Sequence, residues 1–230
     1  MVLVTIRRRW SALFGERMTN PWLQIPASDY EAHMTLPEVA QAQAINELFA
    51  SALKEYAPAS LAVLGCTTGN GFEHIDSLQT RRVVGIDINP EYLTILKSRF
   101  EAKIPCLETV EADFSEPGFR LEQVSMVFAA LVFEYVNVRD ALQSIERCMA
   151  AGATLVAVLQ LPSGKSAPVT ATRYRSLELL APLMRLVSPV EFSDITADVG
   201  LRELKKDTVP LNMGKAFFVG YYRKNTEPCA

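Results

Sequence analysis

Histidine and cysteine are scarce: the 230-residue chain holds two of the first and four of the second. Cys66, Cys106, Cys148 and Cys229 stand far apart, with no Cys-x-x-Cys pair and no His/Cys cluster beside them. That spacing argues against structural zinc and against a disulfide scaffold. Nor does any run approach the roughly 18 to 20 consecutive apolar residues that would span a bilayer. Charge of one sign is not in excess either, since 23 Lys and Arg face 26 Asp and Glu for a formal net charge of -3. A duplex nucleic-acid partner is therefore not expected, because phosphate binding calls for a basic surface. Arg7, Arg8 and Arg9 form a short basic cluster, for which a solvated arm is the plainer account. Residues 1–6 are mostly apolar and run straight into these arginines, the reverse of a secretory signal. A cytoplasmic protein without a membrane partner is the expectation, as monomer or homodimer.

What the chain does have is apolar material, 49% of its residues, enough for one substantial core with appendages. Residues 1–36 lack steady periodicity and read as an arm or lid of short helix and loop; residues 37–230 read as the main domain. Val39, Ala42, Ile45, Leu48, Phe49, Ala52 and Leu53 recur at helical spacing, with Pro37 suited to a first turn. Short apolar runs at 61–64, 83–86, 107–111, 124–130 and 154–159 then read as strands. Segments 72–78, 91–102 and 138–150 between them read as helices. Strand and helix alternating over short connections predict a mostly parallel sheet covered on both faces. Beyond it, 170–187 looks helical despite Pro182, 194–199 gives another short helix, and 201–209 and 215–223 are extended around the turn Asn212-Met213-Gly214. Phe217, Phe218, Tyr221 and Tyr222 alternate as a strand with two covered faces requires.

The first strand ends in Gly65-Cys66-Thr67-Thr68-Gly69-Asn70-Gly71. Glycines there permit a sharp turn and a close approach of ligand to main chain, and a following helix would offer unpaired N–H groups to an anion. Asp87 ends the second strand about 20 residues on, where a carboxylate can accept the hydroxyls of a ribose. The same spacing suits a dinucleotide, so an NAD-dependent oxidoreductase is one alternative, although no second nucleotide-binding half follows and no Ser-Tyr-Lys arrangement is seen. A phosphate-loop NTPase is excluded, since no Gly-Lys-Ser or Gly-Lys-Thr follows the glycines. Asp113 closes the third strand, placed to accept from an adenine amino group, with Phe114 beside it to cover a ring face. The plainer account makes Asp113 a turn cap and Phe114 core.

Over residues 60–160 these features resemble the cofactor domain of the class I S-adenosylmethionine-dependent methyltransferases, type 11/12-like. The resemblance lies in Leu64-Gly65-Cys66-Thr67-Thr68-Gly69-Asn70-Gly71, in Gly85-Ile86-Asp87-Ile88-Asn89-Pro90, in Asp113-Phe114, and in the run from Ser125 to Tyr135. It implies a Rossmann-like three-layer sandwich with a seven-stranded sheet of order 3-2-1-4-5-7-6 and an antiparallel last strand. It implies S-adenosyl-L-methionine as cofactor: the loop (Gly65, Cys66, Thr67, Gly69, Asn70) around the methionine part, Asp87 on the ribose, and Ile88, Asp113, Phe114 and Ala130 around adenine or the strand edge. Thr67 stands where the middle glycine is usual, which an ordinary backbone torsion would make tolerable. Val63 and Ser125 stand where acids are common and Glu134 where a histidine is frequent. Without those acids, the cofactor ammonium would be left to backbone carbonyls and water. A non-catalytic protein that binds the cofactor or its product is the runner-up reading.

An activated sulfonium methyl group needs mainly alignment and a dry site, and a base only if the acceptor must lose a proton. Candidates for that role are Glu134, after the fourth strand, and His33 and Tyr30, in the arm. The cover expected over residues 162–199 brings Tyr174, Leu177, Leu180 and Met184 toward the acceptor and points to a small molecule. Arg173 and Arg175 read as a solvated face, and His74 as structural or partly exposed.

Overall fold

The structure, a computed structural model, describes residues 20–163 and 167–226, without the side chain of Met213. Arg7, Arg8, Arg9 and Cys229 lie outside the described residues.

Seven strands form one sheet: β1 (Ser60–Leu64), β2 (Arg82–Asp87), β3 (Leu107–Glu111), β4 (Val124–Ala130), β5 (Met149–Gln160), β6 (Leu201–Pro210) and β7 (Ala216–Lys224). Their order is 3-2-1-4-5-7-6, as the family resemblance implies. The first five pair in parallel, and β7 runs antiparallel to both β5 and β6. Strands buried on both faces explain the continuous apolar runs at β1, β2 and β4. Alternate residues feed two separate cores. Helices α2 (Gln41–Tyr56) and α3 (Pro90–Phe100) cover one face, with Phe49, Leu96 and Phe100 packed on Val63, Phe128 and Phe217. On the other face, α4 (Val138–Cys148) and α5 (Pro189–Asp198) set Leu142, Ile145 and Phe192 against Ala129, Leu155 and Tyr222. Burying each such side chain is worth about 1.5–3 kcal/mol, so the layers hold the strand ends in fixed register. Phe217 and Tyr221 enter the first core, Phe218 and Tyr222 the second.

Several elements depart from the sequence reading; α5 begins at Pro189 rather than 194, and β5 at Met149 rather than 154. The helix expected over 72–78 is a single 3-10 turn, Phe72–His74, after which Ile75 is extended. Asp76 ends it, because its side chain accepts from the Leu78 N–H at 2.9 Å and its carbonyl from the Thr80 N–H at 2.8 Å, a turn that competes with helix. Over 170–187 only Arg175–Leu180 coils, again as 3-10. Pro182 supplies no donor, and the Arg185 N–H goes instead to the Glu134 carbonyl at 2.9 Å. Helix α2 starts at Gln41 rather than at Pro37, because Ala40 adopts a left-handed conformation (φ 49°) that redirects the chain. Before α2, Ala27–Thr35 forms a short helix, α1.

Candidate functional site

The parallel strands β1 to β4 end at the same side of the sheet, and the turns that follow them line a cavity of about 600 Å³. Gly65 and Thr67 come to it from β1, Asp87 and Ile88 from β2, Asp113 and Phe114 from β3, and Ala130 and Glu134 from β4. A smaller cavity of about 390 Å³ adjoins it at Tyr30, Met34, Gly65, Thr67 and Ala130, and takes in Cys66, Gly69 and Asn70. Every residue assigned from the sequence to the cofactor or to proton transfer therefore borders one of two neighbouring spaces.

Asp87 organises the first of these. It is 8% exposed; its Oδ2 accepts the Thr67 N–H and its Oδ1 the Asn89 N–H, both at 2.9 Å. Burial raises its pKa, while the amides of Asn89, Thr67 and Ile88 act in the opposite direction by favouring the charged form. Each oxygen keeps lone-pair capacity for another donor. Asp113 Oδ1 is taken by the Ser115 N–H (2.9 Å) and hydroxyl (2.6 Å), so it does cap a turn, and its Oδ2 is free among the described residues. Phe114 is core and also cavity wall.

The glycine loop needs its glycines for a reason other than ligand approach. Gly69 has φ 93°, and a Cβ there would meet Leu96 Cδ1 at 2.5 Å and Phe100 Cε2 at 2.8 Å. At Gly65 (φ 61°), a Cβ would meet Val132 Cγ1 at 2.4 Å. The loop is thus pressed onto the core beneath it, with its other side open to the smaller cavity. Thr67 does not have the ordinary torsion that would make it easy to accommodate: its φ is 47°, in the left-handed region. That conformation turns its N–H toward Asp87. Cys66 is buried in the core, and Asn70 is tied to α2 through the Ala42 carbonyl at 2.8 Å. These two residues therefore offer the cavity mainly their backbone.

Ser125 departs from the family pattern without touching the site. It lies at the amino end of β4, where its Oγ accepts the Ser60 N–H at 3.0 Å and donates to the Ser60 carbonyl at 2.8 Å. The length of β1 separates it from the loop. Val63 does line the smaller cavity, but an acid is present there from another element: Glu31 of α1 pairs with Arg99 of α3 (Arg99 Nη2 to Glu31 Oε2, 3.1 Å) and accepts from Thr68 Oγ1.

Helix α1 spans the site. Besides Glu31, it sends Tyr30 between the two cavities, packed edge-on against Trp22 and tilted against Tyr92. Burial and the Asp87 charge push the Tyr30 phenol well above its ordinary pKa, so it stays protonated. Its Asp29 Oδ2 accepts from Ser176 Oγ at 2.6 Å, and His33 Nδ1 lies 3.0 Å from Thr172 Oγ1. One short helix is thereby fastened to both the glycine loop and the cover segment. Of the residues assigned to that cover, Leu177, Leu180 and Met184 line the large cavity, whereas Tyr174 does not and packs against the Ile25, Leu177 and Leu180 cluster, and Arg173 and Arg175 are exposed.

The far wall is polar and was not legible in the sequence apart from Glu134 and His33. Glu134 is 1% exposed; its Oε1 accepts the Gln160 N–H at 2.8 Å, and its Oε2 has no partner among the described residues. Burial raises its pKa from 4.5 to about 7. His33 is 4% exposed and its pKa is lowered, first by burial and then by Lys215. Gln41 donates to Gln160 Oε1 at 2.7 Å, and Lys215 lies buried beside them.

A doubly wound sheet whose strand ends and first glycine loop surround one cavity is the arrangement of Rossmann-like α/β proteins. Residues 62–157 match the family described as a methyltransferase domain. The resemblance to class I methyltransferases is thus borne out, with no subfamily assigned. None of the curated proteins matches the chain by sequence. Among solved structures, the N-methyltransferase NodS from Bradyrhizobium japonicum WM9, in complex with S-adenosyl-L-homocysteine, superposes with a TM-score of 0.61 at 14% identity, over 82% of this chain and 88% of that one. An S-adenosylmethionine-dependent methyltransferase from Mesorhizobium loti gives 0.59 at 14%, over 76% and 96%. The [4+2]-cyclase SpnF gives 0.63 at 12%, over 80% and 83%. At these identities the likeness is one of fold.

Proposed function

We propose that the protein transfers a methyl group from S-adenosyl-L-methionine to a small-molecule acceptor. The observation that carries this reading is the convergence of Asp87, Asp113 and Glu134 on a single cavity. Its volume falls within the range of small-molecule sites, about 300–1,000 Å³.

The residues fit the cofactor. Asp87 has lone pairs left for ribose hydroxyls, Asp113 Oδ2 is free for an amino group, and Ile88 and Phe114 are apolar walls for a base. In the smaller cavity, Glu31 and Arg99 present opposite charges to an amino-acid tail, which answers the missing acid at Val63. When bound, the cofactor supplies an electrophilic methyl group. The protein's own work is then to orient the acceptor and exclude water, with α1 and the cover closing over the site. Glu134 holds or takes up a proton at Oε2 near neutral pH, which suits an acceptor hydroxyl or acidic carbon. His33, kept neutral by burial, is a second proton acceptor; Tyr30, held protonated, serves as a wall and hydrogen-bond donor.

A non-catalytic binding role is the second reading, favoured by the strained Thr67 and by the loss of the helix after the glycine loop. Calorimetry with S-adenosyl-L-homocysteine tests the binding that both readings share. The wild-type protein is expected to bind it, and Asp87→Ala to weaken it roughly 100-fold through loss of charge-assisted hydrogen bonds. Folded wild-type protein that does not bind it would overturn the proposal.

A further inference from the structure

Lys215 immediately precedes β7 and is 3% exposed in the wall of the large cavity. Its ammonium donates to Thr170 Oγ1 at 2.7 Å and to the Pro168 carbonyl at 3.3 Å. Both acceptors are neutral, an ammonium has three N–H donors, and no carboxylate pairs with Lys215 among the described residues. A buried charge normally has an ionic partner, because two neutral acceptors do not replace the water it gives up. Glu134, in the same cavity, is not that partner: its Oε1 accepts the Gln160 N–H, and its Oε2 has no hydrogen-bond partner among the described residues. The positive charge is therefore left for something that enters the cavity.

What surrounds it narrows the choice. His33 is disfavoured as a cation by burial and by Lys215 itself, so the seat carries a single charge. Arg185, the other cation lining the cavity, is exposed at its rim. One ammonium with a neighbouring hydroxyl suits a singly charged carboxylate better than a phosphate dianion, which calls for more than one cation or an arginine fork. The rest of the cover side is apolar, formed by Val169, Leu177, Leu180, Leu183 and Met184.

We propose that Lys215, with the Thr170 hydroxyl, seats the carboxylate of the methyl acceptor, which would be a monocarboxylate with an apolar body. This rests on reading the large cavity as the acceptor site. Glu134 lies in the same wall, linked to Lys215 through Gln160, whose N–H goes to Glu134 and whose side chain donates to the Pro168 carbonyl at 2.8 Å. An acceptor anchored at Lys215 thus presents its other end to the proton-accepting carboxyl and the strand edge.

The test compares benzoate with benzamide, which match in shape and differ in charge, by NMR titration of the wild-type protein with S-adenosyl-L-homocysteine present. Benzoate is expected to bind at least about tenfold more tightly, to shift the Lys215 Cε resonance, and to lose its advantage in Lys215→Met. Equal affinity for the two probes in wild-type protein, or benzoate binding that leaves the Lys215 resonance in place, overturns the proposal. These wild-type readings decide the matter even if Lys215→Met does not fold. Binding of S-adenosyl-L-homocysteine is measured in the same samples: its presence without a benzoate preference sinks this inference alone, and its absence sinks the parent reading.

Discussion

Replacing Glu134 by glutamine should make the protein more stable, by an amount that grows as pH rises from 4.5 to about 7. The side chain is fully buried and its pKa stands at about 7 against an ordinary 4.5. Below 4.5 the carboxyl is protonated whether the chain is folded or not, and its ionisation adds nothing. As pH rises from 4.5 to 7, the unfolded chain releases the proton that the folded chain retains, so stability falls through this window and levels off above it. The gap between the two pKa values corresponds to about 3 kcal/mol, of which about 2–3 kcal/mol develops between pH 5 and pH 8. Glutamine preserves the acceptor for the Gln160 N–H and cannot ionise. Urea unfolding of ligand-free wild-type and Glu134→Gln protein at pH 5, 6, 7 and 8 should therefore give stabilities that diverge by that amount as pH increases, with the variant ahead. If the two curves stay parallel, Glu134 ionises like a surface carboxylate and is not a proton acceptor poised near neutrality. A carboxylate kept at such a disadvantage is the usual mark of a group retained for chemistry rather than for folding.

Two further outcomes follow from the same geometry. Glu31→Gln should change global stability by less than about 1 kcal/mol, because the Arg99 pair is half exposed, yet speed amide exchange in α1 and raise the Kd for S-adenosyl-L-homocysteine several-fold; unchanged exchange and affinity would refute its role at the smaller cavity. Ser125→Ala should leave that Kd within about twofold while costing about 1 kcal/mol of stability for the hydrogen bonds lost to Ser60. A large affinity loss would mean that the amino edge of the sheet reaches the ligand after all.

The sheet was legible because each strand carries its own signal. Apolar runs such as Leu61 to Leu64 and Val83 to Ile86 can be buried only in a sheet with both faces covered, and the turn at Asn212 to Gly214 announces the closing hairpin. The edge residues Asp87, Asp113 and Glu134 followed from the strand ends. The missed helices share a cause: Asp76 and Pro182 decide local structure through one hydrogen bond made or withheld, against a surrounding pattern that favours helix. Lys215 was invisible for another reason. A lysine at the mouth of a hairpin ordinarily faces water, and its burial depends on how residues 167–172, far away in sequence, fold across it. Val63 leaves β1 without an acid at the smaller cavity, and nothing in the sequence signals that α1, from outside the sheet, brings Glu31 to that space.

Helix α1 holds the glycine loop with one side chain and the cover segment with two others. Whatever loosens it to admit one molecule also frees the wall that the other must pass, and the free energy of unlatching is met only once for the pair. Occupancy of either chamber should therefore favour filling of the other, a heterotropic coupling that arises from a shared fastener and requires no second conformation of the sheet.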